Sequence, residues 1–136
     1  MIVVDASVSV KWFINEVGSD KATSLLQGLK KLIAPQIIRI EVSSALLRLY
    51  RMNILLHPDA VALLQEWHEA LQSQVITLED NATDIKVAES IALEHRHTLP
   101  DCIYIAVALR LQIPLVTADM VQAEKAKLVG VNVITL

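Results

Sequence analysis

Short runs of apolar residues alternate along this chain with longer segments in which apolar residues recur at helical spacing. Apolar runs without polar alternation are typical of parallel strands that are buried on both faces. Because consecutive parallel strands need a crossover, this alternation predicts an α/β fold with a central parallel sheet of about five strands, flanked by helices on both faces. The predicted strands are Ile2–Val4, Leu32–Ala34, Val75–Leu78, Leu115–Thr117 and Val131–Ile134.

The segments between these strands predict helices, several of which begin at a proline or a capping residue. Each of the four prolines lies at a boundary between predicted elements, which supports the division. The predicted helices start at Ser7, Asp20, Pro35, Pro58, Asn81, Pro100 and Asp119.

Two of these helices form a predicted helical hairpin insertion over Gln36–Gln72, with Arg51–His57 between its arms. The hairpin has more apolar residues than one narrow core-facing stripe requires. The surplus either forms an interaction surface or packs on the sheet, and the sequence leaves both open. It comprises Leu46, Leu47, Leu49, Tyr50, Leu55 and Leu56.

The length and composition limit the domain organisation and the cellular location. A chain of 136 residues predicts one domain over residues 1–136, and its three scattered glycines exclude a glycine-rich phosphate loop. The single cysteine, Cys102, excludes an internal disulfide and fits a reducing cytoplasm. The start has no signal-peptide pattern, and the longest apolar run has eight residues, far below the ~20 that span a membrane. We therefore expect a cytoplasmic protein that is not membrane-inserted.

Acidic residues stand where a parallel sheet binds its ligands, at the carboxyl ends of the strands. Asp5 directly follows the first predicted strand, and Asp119 follows the fourth by one residue. Asp101 opens the most apolar predicted helix, which leads into that fourth strand. Glu41 lies on an otherwise apolar helix face, where a carboxylate is costly to bury unless something binds it.

Two interpretations of these carboxylates compete. Taken singly, Asp5, Asp101 and Asp119 can each cap a helix, and Glu41 can pair with Arg48 two turns further on. Taken together, four carboxylates at one edge would repel one another unless a cation lay between them. Oxygen ligands without histidine or thiolate favour magnesium or manganese over zinc. The group as a whole therefore indicates an acidic divalent-metal site.

Four segments around the acidic residues carry a recognisable pattern. They are Val3–Val8 with Lys11 and Trp12, Pro35–Gln36 leading to Ile40–Val42, Asp101 with Tyr104–Ala106, and Pro114–Asp119. In this order they resemble the motifs of the PIN-domain nucleases, especially the VapC-type toxins of toxin–antitoxin pairs. The resemblance covers nearly the whole chain, although Met120 and Val121 replace the family's usual basic and aromatic pair.

This resemblance implies a Mg²⁺- or Mn²⁺-dependent endoribonuclease toxin that a cognate antitoxin inhibits. Asp5 and Asp101 would be the main metal ligands, with Glu41 and Asp119 completing the catalytic site. A metal ion activates water and neutralises charge on phosphoryl oxygens, so we expect in-line hydrolysis of an RNA phosphodiester that leaves 5′-phosphate and 3′-hydroxyl ends.

Ser7 and Thr117 have supporting roles in this interpretation. Either they orient a carboxylate or a water molecule, or they are ordinary caps of helices and turns. The sequence leaves both roles open.

The predicted partners are RNA, a cognate antitoxin protein and a second copy of the chain in a homodimer. The formal net charge of −3 argues against a simple basic nucleic-acid binder, but it includes the four carboxylates of the predicted metal site. The candidates for RNA phosphate contacts, or else simply solvated side chains, are Lys11, Arg39, Arg48 and Arg51.

Two other functions compete with the nuclease. A phosphatase-like enzyme would use Asp5 as a nucleophile, but such sites usually have a second aspartate two residues on, where this chain has Ser7. A non-catalytic protein-binding module is the other alternative, and it would have no need of all four acids. His95 and His97, near a predicted helix C-terminus, are expected to be surface residues that complement the helix dipole.

Overall fold

The computed structural model describes all 136 residues and contains one five-stranded sheet in which every pair of neighbouring strands is parallel. The strand order is β3-β2-β1-β4-β5, so the first strand lies at the centre. The predicted α/β class and the parallel sheet are confirmed. The strands are β1 (Ile2–Val4), β2 (Leu32–Pro35), β3 (Thr77–Glu79), β4 (Leu115–Thr117) and β5 (Val133–Thr135).

Seven helices connect the strands, and none is long and apolar enough to cross a membrane. The chain runs outward from β1 to β2 and β3, and then returns to β4 and β5 on the other side of β1. Right-handed crossovers on both sides of β1 place helices on both faces of the sheet. The helices are α1 (Ala6–Val10), α2 (Ser19–Gln27), α3 (Ile38–Arg51), α4 (His57–Gln72), α5 (Asp84–His95), α6 (Leu99–Leu111) and α7 (Met120–Leu128).

Helix α6 is the central helix of the core. All seven residues of the stretch 102–108 are buried, because α6 packs on β1, β2 and β4 while α5 covers its outer side. This double coverage explains why α6 has the most apolar sequence in the chain. It also fixes the N-terminus of α6, which carries Asp101, near the end of β1.

Several predicted boundaries are wrong by two or three residues, and at both displaced helix starts the residues contact distant parts of the chain. Pro35 ends β2 and does not open a helix, so that α3 begins at Ile38. Helix α5 begins at Asp84, not at Asn81, because the Asn81 side chain accepts a hydrogen bond from the Gln36 amide and donates one to Asp84.

Two predicted helix caps also lie elsewhere. Gly18, in the left-handed region with φ of +87°, precedes α2, and Asp20 lies within its first turn. Thr98 occupies the N-cap position of α6, and Asp101 lies inside the first turn. Asp101 is therefore free of the ordinary capping role that the sequence had left open.

Helices α3 and α4 form the predicted hairpin. Some of its apolar residues pack in the core, and others are exposed on the surface. Leu46 is fully buried, so this residue belongs to the core and not to the surplus. Trp67 of α4 is also fully buried and contacts Phe13 edge to face. The exposed apolar residues, called here the hairpin surface, are Ile40, Leu47, Tyr50, Met52, Ile54, Leu56 and Val61.

A buried ion pair joins α5 to the far end of α6. The Asp84 carboxylate is 2% exposed and accepts hydrogen bonds from Arg110 Nε at 2.8 Å and Arg110 Nη2 at 3.0 Å. Burial opposes ionisation of Asp84, but the bonds from Arg110 and Asn81 outweigh it and hold the pKa of this carboxyl below its usual range. Arg110 therefore locks the outer helix onto the central one.

Replacing this arginine should destabilise the fold without removing a contact of Asp5, Glu41, Asp101 or Asp119, because Arg110 bonds only to Asp84 and Glu79. We expect Arg110→Met to lower the free energy of unfolding by about 2 kcal/mol, because Asp84 would remain buried without its charged partner. Urea denaturation measures the loss, and Lys86→Met, at an exposed position of α5, is the matched control that should change it by less than about 0.5 kcal/mol. Equal stability of the two variants would contradict this role.

Candidate functional site

Asp5 occupies the central position at the carboxyl edge of the sheet. It directly follows β1, the strand at which the chain changes direction across the sheet, and the neighbouring strand β4 ends beside it at Thr117. Ligands of open parallel sheets bind at such switch points. Its side chain is nearly buried, with 5% exposed, so the carboxylate belongs to a formed site and not to the free surface.

Three hydrogen bonds hold the Asp5 carboxylate in place. Ser7 Oγ donates to Oδ1 at 2.5 Å, the Val8 amide donates to Oδ1 at 3.2 Å, and the Thr117 hydroxyl donates to Oδ2. Ser7 Oγ also accepts from the Ala118 amide at 3.0 Å. The Asp5 carboxylate caps α1 and at the same time joins β1 to the end of β4. Ser7 and Thr117 each donate to this carboxylate and each accept a backbone amide of the turn after β4.

The buried position of Asp5 makes its ionisation costly. Burial raises the pKa of Asp5 from 3.8 to about 6, although the bonds from Ser7, Thr117 and Val8 lower it, and the charge of Asp101 raises it further. No lysine or arginine forms an ion pair with Asp5. The ionised carboxylate is therefore short of positive charge at neutral pH.

Glu41 reaches this edge from α3 and is held by the central helix α6. The Tyr104 hydroxyl donates to Glu41 Oε1 at 2.7 Å, and Tyr104 itself is fully buried. Burial raises the pKa of Glu41, the Tyr104 bond lowers it, and the charges of Asp101 and Asp5 raise it again. The alternative ion pair with Arg48 does not form.

Asp101 lies in the first turn of α6, close enough to the other two carboxylates for their charges to interact. Thr98 Oγ1 donates to Asp101 Oδ2 at 2.6 Å, and His97 Nε2 lies 3.7 Å from the same oxygen. The side chain is one-third exposed, so it is accessible from solvent. Asp5, Glu41 and Asp101 thus come together from three different elements.

Asp119 stands at the mouth of the site. Its Oδ1 caps α7 by accepting from the Val121 and Gln122 amides at 2.9 and 3.1 Å, which leaves Oδ2 free of protein partners. Asp119 and Glu41 both line an open cavity of about 500 Å³, as do Ser7 and Ala118. The predicted capping role and a position at the site therefore coexist in Asp119.

The donor chemistry of this edge fits a hard divalent cation, although no three acidic, histidine or cysteine side chains lie close enough together to form a complete ligand set. All the donors are carboxylate or hydroxyl oxygens, the type that Mg²⁺ prefers. Mg²⁺ in proteins is usually held by one or two carboxylates and substrate phosphates, so a cluster of three is not required. The uncompensated carboxylates Asp5, Glu41 and Asp101 match these requirements.

The four basic candidates differ in how they are engaged. Lys11 lines the cavity, but its Nζ donates to Glu16 Oε1 at 3.0 Å and to the Val17 carbonyl at 2.6 Å. Arg39 is exposed and donates to Gln36 Oε1. Arg48 and Arg51 are exposed on α3 without an ion pair, so they are the freest of the four to meet a phosphate.

Sequence reasoning missed three residues that support the site. Tyr104 was noted only for its match to a motif, Gln122 was not singled out, and His97 was wrongly expected at the surface. The His97 side chain is 7% exposed and bonds to the fully buried Gln122. The only local signal was a glutamine in the first turn of the helix that directly follows a candidate ligand, Asp119.

Comparison with known sequences shows the class of protein that this fold and edge define. The model of the PIN domain family matches residues 2–128, and the chain belongs to that family. A curated relative, Ribonuclease VapC3 of Pyrobaculum aerophilum, is 28% identical over 124 residues, which are 91% of this chain and 93% of the relative.

Solved structures with the same fold include proteins of three bacterial species. Mycobacterium tuberculosis VapC20, described as a Sarcin-Ricin loop cleaving toxin, has a TM-score of 0.72 at 19% identity and covers 91% of this chain and 94% of its own. A toxin–antitoxin complex from Klebsiella pneumoniae has a TM-score of 0.70 at 17% identity, with coverage of 99% and 97%. FitAcB from Neisseria gonorrhoeae has a TM-score of 0.66 at 19% identity and the same coverage.

The raised pKa of Asp5 predicts a pH-dependent loss of stability. An acid whose pKa is higher in the folded state contributes stability below its unfolded pKa and loses that contribution as the pH rises through the folded pKa. Between pH 4 and pH 7 we expect the wild type to lose about 2 to 3 kcal/mol of unfolding free energy relative to Asp5→Asn, because one pKa unit corresponds to about 1.4 kcal/mol. Urea titrations of both proteins in EDTA measure this difference.

The comparison with Asp5→Asn removes the contributions of all other titrating groups, since both proteins share them. A difference between the two proteins that does not change between pH 4 and pH 7 would show that Asp5 titrates normally. It would also remove the argument that the site lacks positive charge.

Proposed function

We propose that this protein is a Mg²⁺- or Mn²⁺-dependent endoribonuclease in which Asp5, Glu41, Asp101 and Asp119 form the catalytic site of a single PIN domain over residues 1–136. The observation that carries the proposal is the buried Asp5 carboxylate, close to Glu41 and Asp101 and without a basic partner. Such an arrangement is unfavourable for the protein alone and becomes favourable when a cation is bound. Membership of the PIN domain family and the ribonuclease name of the archaeal relative support it.

Each carboxylate has a distinct part in this proposal. Asp5 and Asp101 would hold the cation, with Glu41 beside them, while the free Oδ2 of Asp119 at the cavity mouth would contact it through water. When bound, a divalent cation supplies an activated water molecule and neutralises charge on the scissile phosphate. Ser7 and Thr117 keep Asp5 oriented through their hydroxyl donation to its two oxygens.

An RNA strand would approach from the open side of this cavity. The cavity is shallow and open to solvent, and Arg48 and Arg51 project from α3, the helix that also supplies Glu41. Phosphate contacts from such arginines would bind RNA through its backbone. In-line attack by water with the 3′ oxygen as the leaving group would break the P–O3′ bond and leave 5′-phosphate and 3′-hydroxyl ends.

The phosphatase-like alternative is disfavoured by the hydrogen bonds of Asp5. Ser7 and Val8 donate to Oδ1 and Thr117 donates to Oδ2, and these hydrogen bonds lower the nucleophilicity of both oxygens. A cation can share carboxylate oxygens that already accept hydrogen bonds, so the same contacts are compatible with metal binding.

We further propose that the nuclease is a toxin of a toxin–antitoxin pair, inhibited by a cognate antitoxin. The support is the shared fold with the Klebsiella pneumoniae toxin–antitoxin complex and the exposed apolar residues of the hairpin surface. A homodimer and a cytoplasmic location complete the proposal on the sequence arguments given above.

Removal of either principal ligand should abolish cleavage. We expect Asp5→Asn and Asp101→Asn to lower Mn²⁺-dependent cleavage of a defined RNA at least 100-fold, because the remaining carboxylates would bind the cation weakly. Asp59→Asn, an exposed aspartate in the first turn of α4, is the matched control and should keep wild-type activity. Denaturing gels and end-labelling of the products measure rate and end chemistry.

Circular dichroism establishes that the variants are folded. Full activity of both variants would reject the assignment of the site. Cleavage that persists in EDTA would reject the dependence on a divalent cation.

The hairpin surface gives a separate test of the toxin–antitoxin proposal. We expect Ile54→Asp combined with Leu56→Asp to leave RNA cleavage unchanged and to weaken inhibition by the protein encoded next to this gene at least tenfold, because apolar contact area would be lost. Leu93→Asp, an exposed leucine on α5, is the control. If the double variant is inhibited as strongly as the wild type, the antitoxin binds outside the hairpin surface.

A further inference from the structure

Gln122 is a fully buried amide that connects two of the candidate carboxylates. It lies in the first turn of α7, and its backbone amide donates to Asp119 Oδ1 at 3.1 Å. Its side-chain Nε2 donates to the Asp101 backbone carbonyl at 2.9 Å, although 21 residues separate the two positions. One residue therefore contacts both Asp101 and Asp119, which belong to different helices.

The hydrogen bonds of Gln122 leave no freedom in its orientation. The Asp101 carbonyl can only accept, so the Gln122 nitrogen must face it and the Gln122 Oε1 must face His97. His97 Nε2 lies 2.7 Å from that oxygen and must therefore be the nitrogen that carries a proton. Both side chains are buried and have no unsatisfied polar atom, so a rotated amide would be costly.

We propose that Gln122, held by His97, is a positioning residue that sets the separation of Asp101 and Asp119 and thereby the affinity of the site for a divalent cation. This inference rests on the proposed function. Asp101 and Asp119 carry like charges, so nothing in their own interaction holds their helices together in the absence of a cation. The link through Gln122 opposes their separation without occupying either free carboxylate oxygen.

The position of Gln122 matters because the site has no ready-made cluster of three ligands. Affinity then depends on how little the carboxylates must move to reach a cation, and residues that orient ligands typically contribute about 10- to 100-fold to metal affinity. His97 also lies close to the Asp101 side chain itself, because its Nε2 is 3.7 Å from Asp101 Oδ2.

The test is direct titration of Mn²⁺ into the whole protein by calorimetry, which does not depend on cleavage. We expect Gln122→Met, which keeps the side-chain length and removes both side-chain hydrogen bonds, to weaken Mn²⁺ binding about tenfold. The Mn²⁺ concentration for half-maximal cleavage should rise by the same factor. The rate at saturating Mn²⁺ and the KM for RNA should change less than threefold, because Gln122 contacts neither the RNA nor the cation.

The matched control separates positioning from general loss of stability. Arg110→Met removes a different buried hydrogen-bond network at the opposite end of α6, about 13 Å along the helix from Asp101. It should lower stability and leave Mn²⁺ affinity unchanged. His97→Phe keeps a ring in place and removes the donor to Gln122 together with the ring nitrogen 3.7 Å from Asp101 Oδ2. It should weaken Mn²⁺ binding by a smaller factor than Gln122→Met, and it serves if Gln122→Met fails to fold.

The outcomes distinguish this inference from the function on which it rests. Wild-type binding of Mn²⁺ that is lost in Asp5→Asn, together with weakened binding in Gln122→Met or His97→Phe, supports the proposal. Wild-type affinity in both positioning variants, or an equal loss in Arg110→Met, overturns it while leaving the proposed function intact. A wild type that binds no Mn²⁺ overturns both.

Discussion

The structure depends above all on the burial of the Asp5 carboxylate at the end of the central strand. Burial raises its pKa to about 6, and two hydroxyls and one amide offset part of that cost. Those donors come from α1 and from the end of β4, so stabilising the charge also ties the first strand to the fourth. The switch point of the sheet and the candidate site are therefore held by the same contacts.

The other carboxylates are held by contacts that orient them without neutralising them. Tyr104 donates one hydrogen bond to Glu41, Thr98 donates one to Asp101, and backbone amides of α7 meet Asp119. By contrast, Asp84 at the far end of α6 is paired with Arg110. An arginine thus neutralises Asp84, which joins two helices of the core. The acids at the edge where a cation would bind have no arginine or lysine partner.

The sequence predicted the architecture well because the relevant signals are local. Apolar runs marked all five strands within two residues, and the positions of Asp5 and Asp119 next to strand ends followed from the parallel topology. Asp101 was marked by its place at the start of the most apolar helix. The predicted starts of α2 at Asp20 and of α5 at Asn81 were wrong. Helix α2 begins after Gly18, and α5 begins at Asp84 because the Asn81 side chain is bonded elsewhere. The Asn81 side chain is engaged by Gln36, 45 residues away in sequence, and no local pattern records that partner.

The sequence by itself determined the order of strands and helices, the buried character of α6 and the four acids that belong to the candidate site. Only the tertiary structure decided which polar side chains hold those acids. Tyr104 meets Glu41 across 63 positions, and His97 is buried against Gln122 across 25, because α6 passes behind the sheet and brings its N-terminus against α3 and α7. Hydrophobic periodicity specifies which residues are buried, whereas the pairing of buried polar groups depends on how the helices cross.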